Sequence, residues 1–213
     1  VEADEFDRTF LKLTPTIAAL TTLESEHLDT YKDLDDIKEA FIEFANKVPF
    51  YGFVTLCLDE PALQDIMPHI NKKIITYGLN VQADVRATDI THSGFTSTYK
   101  VKYFAKELGE ITLKIPCNHN INNSLVAVVI GKELGIDFKI IKTALESFSG
   151  VYRRFEVKYN KEILVIDDYA HHPTESAATL KGIRDGWDRR LIVVFQPHLY
   201  SRTRDFYEVF GRA

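Results

Sequence analysis

Residues 53–58, Phe53-Val54-Thr55-Leu56-Cys57-Leu58, form a short apolar run of the kind that is typical of a strand buried on both faces. Residues 16–23 form a second such run upstream. Between the two runs, apolar side chains recur at spacings of three and four from Ile37 to Val48, which predicts a helix with one buried face. The order strand–helix–strand predicts a parallel sheet with helices packed on it.

Further along the chain the pattern changes to alternation. Polar and apolar residues alternate over 96–104, so we expect a small antiparallel meander between Ala83 and Ile115. The sequence then predicts helices at 122–134 and 138–147, a hairpin of strands at 155–159 and 163–166, a helix from Pro173, a strand at 191–195 and a helix from about Arg204. A second strand–helix–strand unit thus begins near Gly150. The expected fold class is α/β, with a parallel sheet, flanking helices and a small meander.

Composition narrows the range of functions. The 213 residues carry a formal net charge of −5, and this argues against a protein that binds nucleic acid through a basic face. The two cysteines, Cys57 and Cys117, are far apart and predict neither a disulfide framework nor a zinc site, which favours the cytoplasm. The longest apolar run, 125–131, is far shorter than the ~20 residues of a membrane span. The chain opens on Val1 and ends inside a predicted helix, so we expect an internal piece of a larger protein.

The segment Asp167-Asp168-Tyr169-Ala170-His171-His172-Pro173-Thr174-Glu175 follows an apolar strand and precedes a helix that Pro173 can start. Open α/β sheets bind ligands at the carboxyl ends of their strands, which is where these polar side chains should lie. The alternative is a capped loop with solvent-facing histidines.

A second polar segment, residues 196–204, follows the predicted strand 191–195, so we expect both segments to open onto one crevice. Arg202 and Arg204 suit carboxylate or phosphate groups, because guanidinium forks bind such oxygens in pairs. The alternative is a helix N-terminus with exposed arginines. Arg153-Arg154-Phe155 is a third basic element, and paired arginines are often only solvated.

Two acidic clusters lie near the start of the chain, at residues 2–5 and 24–29. Carboxylates after a buried strand can hold Mg²⁺ together with phosphate oxygens, although a solvated loop explains them equally well. His119-Asn120-Ile121-Asn122-Asn123 opens a helix, where these side chains can cap the helix or hydrogen-bond the edge of a base.

Taken together, these segments resemble the Mur ligases, which form amide bonds at the expense of ATP in peptidoglycan synthesis. The matching segments follow the family's order along nearly the whole chain: Glu2–Glu5 with Thr9–Leu11, Glu24–Tyr31, Pro49–Gly52, His119–Asn123, Arg153–Phe155, Asp167–Glu175 and Phe195–Arg204. The resemblance implies that residues 1–149 are the rear part of the central ATP-binding domain. Residues 150–213 would be the front part of a Rossmann-like C-terminal domain.

The resemblance also implies roles for single residues. Glu2 and His27 match metal ligands for Mg²⁺, and Mn²⁺ should be accepted too because histidine is an unusual ligand for the harder ion. The nucleotide-binding positions are His119, Asn120, Asn123, Arg154 and Asp168. The positions for the amino acid and the muramoyl carboxylate are Tyr169, His171, His198, Arg202 and Arg204. Among these, His171 or His198 would accept the proton of the amine, with Arg202 as a third catalytic residue.

Within the family, the matches at Pro49–Gly52 and Asp29–Tyr31 favour the branch that joins L-alanine to UDP-N-acetylmuramate in the cytoplasm. Phe41 aligns with the position where sister ligases carry a carbamylated lysine. One alternative is the recycling ligase that attaches a preformed tripeptide to the same sugar. The other is a non-catalytic module that only binds nucleotide or substrate, because no GxxxxGK[ST] run occurs in the 213 residues. The chain by itself is therefore expected not to hydrolyse ATP.

Overall fold

A computed structural model describes residues 1–24 and 30–212, with the backbone only at Ser201. The chain divides into two compact units. The first unit comprises Val1–Thr88, Val101–Gly109 and Asn122–Phe138, and the second unit comprises Asp89–Lys100, Glu110–Ile121 and Lys139–Ala213.

The regular elements, in chain order, are β1 Ile17–Leu20, α1 Leu34–Asn46, β2 Phe53–Cys57, α2 Pro61–Ile66, β3 Ile74–Gly78, β4 Val85–Ser93, β5 Thr96–Tyr103, β6 Lys106–Leu113, α3 Asn118–Glu133, α4 Phe138–Ser147, β7 Glu156–Asn160, β8 Leu164–Asp167, α5 Pro173–Gly186 and α6 Tyr200–Phe210. Short 3₁₀ helices lie at Thr9–Lys12 and Met67–His69.

Six strands form one sheet in the order β1-β2-β3-β4-β5-β6. The ladders from β1 to β4 are parallel, with Ile17 opposite Phe53, Val54 opposite Ile74 and Tyr77 opposite Val85. Two-residue turns join β4 to β5 and β5 to β6, and neighbouring strands joined so tightly must run antiparallel. The predicted α/β fold with a parallel sheet is confirmed.

Helix α1 buries the face that its sequence spacing predicts. Ile37, Ala40, Phe44 and Ala45 are buried, and the Asp33 side chain caps the helix by accepting a hydrogen bond from the Asp36 N–H at 2.9 Å. The Phe41 ring lies on the same side, 5.8 Å from the ring of Phe10. Phe41 therefore contributes to packing in the first unit.

The carboxyl ends of β2 and β3 are tied together by one carboxylate. Asp59 accepts hydrogen bonds from the backbone N–H groups of Leu79 at 2.7 Å and Asn80 at 2.8 Å, and from the Asn122 amide of α3 at 3.0 Å. Gly78 has a φ of 153°, and a Cβ added there would lie 2.7 Å from the Asp59 carboxylate. The close approach of this turn to Asp59 therefore requires glycine.

In the second unit, β7 and β8 form the predicted antiparallel hairpin. The predicted strand at 191–195 is wrong, because these described residues have no regular secondary structure and Val194 is 94% exposed. An apolar run becomes a strand only when it finds a ladder partner, and in the described part of the chain β8 pairs with β7 alone. Helix α6 also begins earlier than predicted, at Tyr200, and α3 begins at Asn118.

No helix within residues 1–24 and 30–212 is both long enough and apolar enough to cross a membrane.

Candidate functional site

Asp168, just after β8, holds the polar loop in place. Its Oδ1 accepts a hydrogen bond from the Ala170 N–H at 2.8 Å, and its Oδ2 accepts from the Phe155 N–H at 2.9 Å and the Thr179 hydroxyl at 3.1 Å. A carboxylate offers about four acceptor positions. Donors from the described residues occupy three of them, which leaves about one, on Oδ1.

Arg153 also contacts this loop, through its backbone and its guanidinium. Its carbonyl accepts a hydrogen bond from the Tyr169 N–H at 2.7 Å, and its Nε lies 3.3 Å from an Asp167 carboxylate oxygen. Its guanidinium lies 5.2 Å from the centre of the Tyr169 ring, a cation–π distance. Arg153 has a φ of 55°, a left-handed conformation that non-glycine residues adopt rarely and that surrounding contacts must maintain.

Arg154 and His171 meet at Glu175, in the first turn of α5. The Glu175 Oε1 accepts from the Arg154 Nη1 at 3.2 Å, and its Oε2 accepts from the His171 N–H at 2.9 Å and the His172 N–H at 3.2 Å. Burial raises the pKa of Glu175, but the His171 backbone hydrogen bond, the His171 charge, the His172 N–H and Arg154 together hold that pKa below its usual value.

The His171 ring has a defined tautomer. Its Nδ1 lies 2.9 Å from the Tyr169 carbonyl oxygen and 3.4 Å from the Glu175 carboxylate, and neither group can donate a hydrogen bond. Nδ1 must therefore carry the proton, so in the neutral ring the lone pair is on Nε2. The ring of His198 lies perpendicular to that of His171, with 6.0 Å between their centres.

Helix packing, not strand pairing, brings the two polar segments together. Residues 191–195 were expected to carry residues 196–204 to the sheet edge, but this segment has no regular secondary structure and residues 192–195 are exposed. Instead α6 packs on α5, and the Phe206 ring lies 5.2 Å from that of His172. Arg202, on the first turn of α6, is buried, whereas Arg204 is exposed and pairs with Asp205 at 2.7 Å.

The start of α3 carries the residues predicted for the nucleotide base. The Asn120 amide donates to the Pro116 carbonyl at 2.7 Å, and Asn123 is exposed about one turn further along. His119 is exposed, yet nearby protein lowers its pKa by partial desolvation; Asp168 and Glu175 oppose this effect and Arg154 adds to it. His119 thus lies within electrostatic range of the Asp168 loop.

Arg154 also lines a cleft of about 490 Å³ in the second unit, together with Lys114, Tyr152 and Phe155. This volume is within the range of small-molecule sites. Asp168 and His171 do not contribute to its lining.

The predicted metal ligands are only partly described. Glu2 is exposed and precedes the first 3₁₀ helix, and His27 lies outside the described residues. Tyr31 fixes the segment that follows Glu2, because its hydroxyl donates to the Glu5 carbonyl at 2.7 Å and the Arg8 guanidinium lies 4.4 Å over its ring. Within residues 1–24 and 30–212, no three His, Cys, Asp or Glu residues are arranged to hold a metal ion.

Two residues of this region had no role assigned from sequence, Arg153 and Glu175. Both residues lie in segments that the sequence analysis singled out. Their contacts depend on a left-handed backbone at Arg153 and on a loop that folds back onto α5. The spacing of residues along the sequence predicts neither feature.

Comparison with known proteins gives the family. A model of the Mur ligase middle domain matches residues 2–131, and a model of the Mur ligase glutamate ligase domain matches residues 153–213. The UDP-N-acetylmuramate–L-alanine ligase of Geotalea uraniireducens is 52% identical over all of this chain, which corresponds to 46% of that protein. The chain therefore spans about half the length of the curated relatives it matches.

Solved structures of Mur ligases are also similar to this chain. The UDP-N-acetylmuramate-alanine ligase of Thermotoga maritima has a TM-score of 0.78 at 27% identity, covering 96% of this chain and 46% of that one. A murein peptide ligase of Psychrobacter arcticus has a TM-score of 0.62 at 28% identity, covering 89% and 39%. The two matched domain models and these structures place the chain in the Mur ligase family.

Proposed function

We propose that this chain is part of an ATP-dependent ligase that joins L-alanine to the lactyl carboxylate of UDP-N-acetylmuramate. The observation that carries the proposal is the 52% identity, over the whole chain, to a relative named for that reaction. Residues 1–149 would belong to its ATP-binding domain and residues 150–213 to its C-terminal domain. The ATP, the amino acid and the sugar nucleotide are all small molecules, and we place the reaction in the cytoplasm.

In the proposed reaction, the lactyl carboxylate oxygen attacks the γ-phosphorus of ATP, and ADP leaves. The amine nitrogen of L-alanine then attacks the resulting acyl phosphate at its carbonyl carbon, and phosphate leaves as the amide forms. The first step spreads negative charge over the oxygens of the transferred phosphoryl group, and the second step passes charge from the attacked carbonyl oxygen to the leaving phosphate. Arg154 is the residue we assign to those oxygens, because it lines a cleft of about 490 Å³ and its guanidinium can offset negative charge.

The amine must lose a proton before or during its attack. His171 is a suitable acceptor, because its Nδ1–H is directed to the Tyr169 carbonyl and the lone pair of the neutral ring is on Nε2. His198 is the alternative acceptor, 6.0 Å away between ring centres. The Tyr169 ring is tilted by 58° to that of His171, with 5.0 Å between their centres, and would close one side of the amino-acid site.

The remaining groups divide between nucleotide and substrate. Asp168 would accept one ribose hydroxyl on Oδ1, with His119, Asn120 and Asn123 toward the base. Arg202, and Arg204 at the surface, would bind the carboxylates of L-alanine and the lactyl group. The exposed Glu2 carboxylate offers the hard oxygen ligand that Mg²⁺ or Mn²⁺ prefers, so Glu2 with His27 would hold the cation that offsets the phosphate charge.

A competition assay tests the proposal. The whole protein would be supplied with ATP, UDP-N-acetylmuramate and equal amounts of L-alanine and the tripeptide, and products would be separated by mass. We expect the alanyl product with one ADP per amide bond. Predominance of the tripeptide product would instead favour the recycling ligase. The murein peptide ligase structure, which is 28% identical to this chain, makes that alternative worth testing. Nucleotide binding without any product would favour a non-catalytic module.

A further inference from the structure

Glu175 makes more contacts than its place in the helix requires. A glutamate at the third position of a helix commonly accepts a hydrogen bond from the backbone N–H of the capping residue. Glu175 does this with the His172 N–H at 3.2 Å. It also accepts from the His171 N–H at 2.9 Å, lies 3.4 Å from the His171 Nδ1 and accepts from the Arg154 guanidinium at 3.2 Å.

The two carboxylate oxygens are divided between two parts of the second unit. Oε2 receives the contacts from His171 and His172, in the loop between β8 and α5. Oε1 receives the contact from Arg154, in the segment before β7. Because both oxygens belong to one planar carboxylate, these bonds couple the position of the Arg154 guanidinium to that of the His171 backbone.

We infer that Glu175 is a positioning residue of the proposed ligase site, which orients the Arg154 guanidinium and the His171 ring together. The inference rests on the proposed function, because that function assigns Arg154 to phosphate and His171 to the amine proton. Glu175 itself contacts neither the phosphate nor the amine. It acts through Arg154 and His171.

Charge supports this role. Glu175 lies between a guanidinium and a histidine, and its pKa remains below the usual value although it is partly buried. A glutamine at this position has the same size but no charge, and only one of its two terminal atoms accepts hydrogen bonds. Whichever way that amide is turned, either Arg154 or the His171–His172 turn faces a donor instead of an acceptor.

The test is a pair of double-mutant cycles in the whole protein. The first cycle measures the Kd of a non-hydrolysable ATP analogue by calorimetry for Glu175→Gln, Arg154→Ala and the double variant. We expect Glu175→Gln to weaken binding about 10-fold, since hydrogen bonds to charged groups are lost, and to change it less than about 2-fold once Arg154 is alanine. The second cycle measures kcat for Glu175→Gln, His171→Ala and their combination, with the same non-additivity expected.

Asp185→Asn is the matched control, because Asp185 lies on the same helix and pairs with Lys181 at 2.6 Å, outside the site. It removes one helix ion pair and should leave both Kd and kcat unchanged. If Glu175→Gln prevents folding, Glu175→Asp, which keeps the charge and shortens the side chain by one methylene, takes its place in both cycles.

Additive effects in both cycles would overturn the inference, because Glu175 would then act independently of Arg154 and His171. Unchanged Kd and kcat in a folded Glu175→Gln protein would overturn it as well. If the proposed function is wrong, the unaltered protein makes no alanyl product, which is a different result from either of these. The first cycle, which measures nucleotide binding, would then still decide whether Glu175 orients Arg154.

Discussion

Strand β2 and the loop from Asp167 to Glu175 are held in place by different forces. All five residues of β2 are buried, and the strand pairs on both sides within a parallel sheet. The loop is largely half-exposed, and carboxylates that accept backbone N–H groups fix its path. Apolar burial and pairing within the sheet stabilise the first region. In the second region, carboxylates shape the backbone and also contact the side chains of proposed site residues, so local structure and the proposed function there depend on the same bonds.

The largest effect is expected from Leu56→Ala in β2. Leu56 is fully buried, so the truncation leaves a cavity and should lower the free energy of unfolding of the first unit by about 2–5 kcal/mol. Native-state hydrogen exchange of the β2 amides would measure this loss. Val165→Ala in β8 is the control, because a side chain that is 40% exposed should cost less than about 1 kcal/mol. Equal losses at the two positions would remove the contrast between the regions.

Arg202→Ala should lower kcat/KM about 10- to 150-fold when L-alanine or the sugar nucleotide is varied, with the Kd for ATP nearly unchanged. The reason is that, in the proposed site, the substitution removes the guanidinium assigned to a substrate carboxylate and leaves the proposed nucleotide contacts in place. Arg190→Ala, at an exposed position outside the site, is the control. A tenfold weaker Kd for ATP, with both carboxylate substrates unaffected, would show that Arg202 belongs to the nucleotide site.

Gly182→Ala probes the apolar packing beneath the polar loop. A Cβ at this position of α5 would lie 2.1 Å from the Cys117 Sγ, so we expect a loss of about 1–3 kcal/mol in the stability of the second unit. Adding Cys117→Gly should restore most of it, because the sulfur is removed and the φ of 79° at residue 117 suits glycine. Thermal unfolding of both variants measures the change. If the double variant is no more stable than Gly182→Ala, contact with Cys117 is not the cause.

His119→Gln should flatten the dependence of stability on pH. Because the pKa of His119 in the folded protein lies below its usual value of 6.5, the unfolded chain binds more protons in that range. The contribution of His119 to stability is therefore complete above about pH 6.5 and is lost as the pH falls through its folded pKa. Melting temperatures compared at pH 7 and pH 5.5 should fall less in the variant. An equal fall in melting temperature in both proteins would contradict a lowered pKa for His119.

Removal of bicarbonate should leave the ligase activity of the whole protein unchanged. The family resemblance aligns Phe41 with the position of a carbamylated lysine in sister ligases, and the Phe41 ring lies 5.8 Å from that of Phe10. Activity of the whole protein should persist in bicarbonate-free buffer below about pH 6.5, where carbamates decompose. Activity that disappears there and returns with bicarbonate would show that a carbamate forms elsewhere.

Sequence patterns predicted the regions that apolar burial dominates. The range of α4, 138–147, follows directly from its spacing of apolar residues, and β2 follows from an unbroken apolar run. The run at 191–195 has the same character but forms no strand in the described chain, because pattern alone does not supply a ladder partner. Contacts of Arg153 and Glu175 were not predicted, because they depend on a left-handed backbone and on hydrogen bonds across the loop.

The three protein donors on Asp168 have a consequence for nucleotide selectivity. The donors in the described part of the chain leave about one acceptor position, on Oδ1, so this carboxylate has room for one of the two ribose hydroxyls. Under the proposed ribose contact, the enzyme would distinguish ATP from a deoxynucleotide through a single hydrogen bond at most, and only if that bond is to the hydroxyl that is missing. Strict discrimination between the sugars would need a second group, supplied from outside this loop.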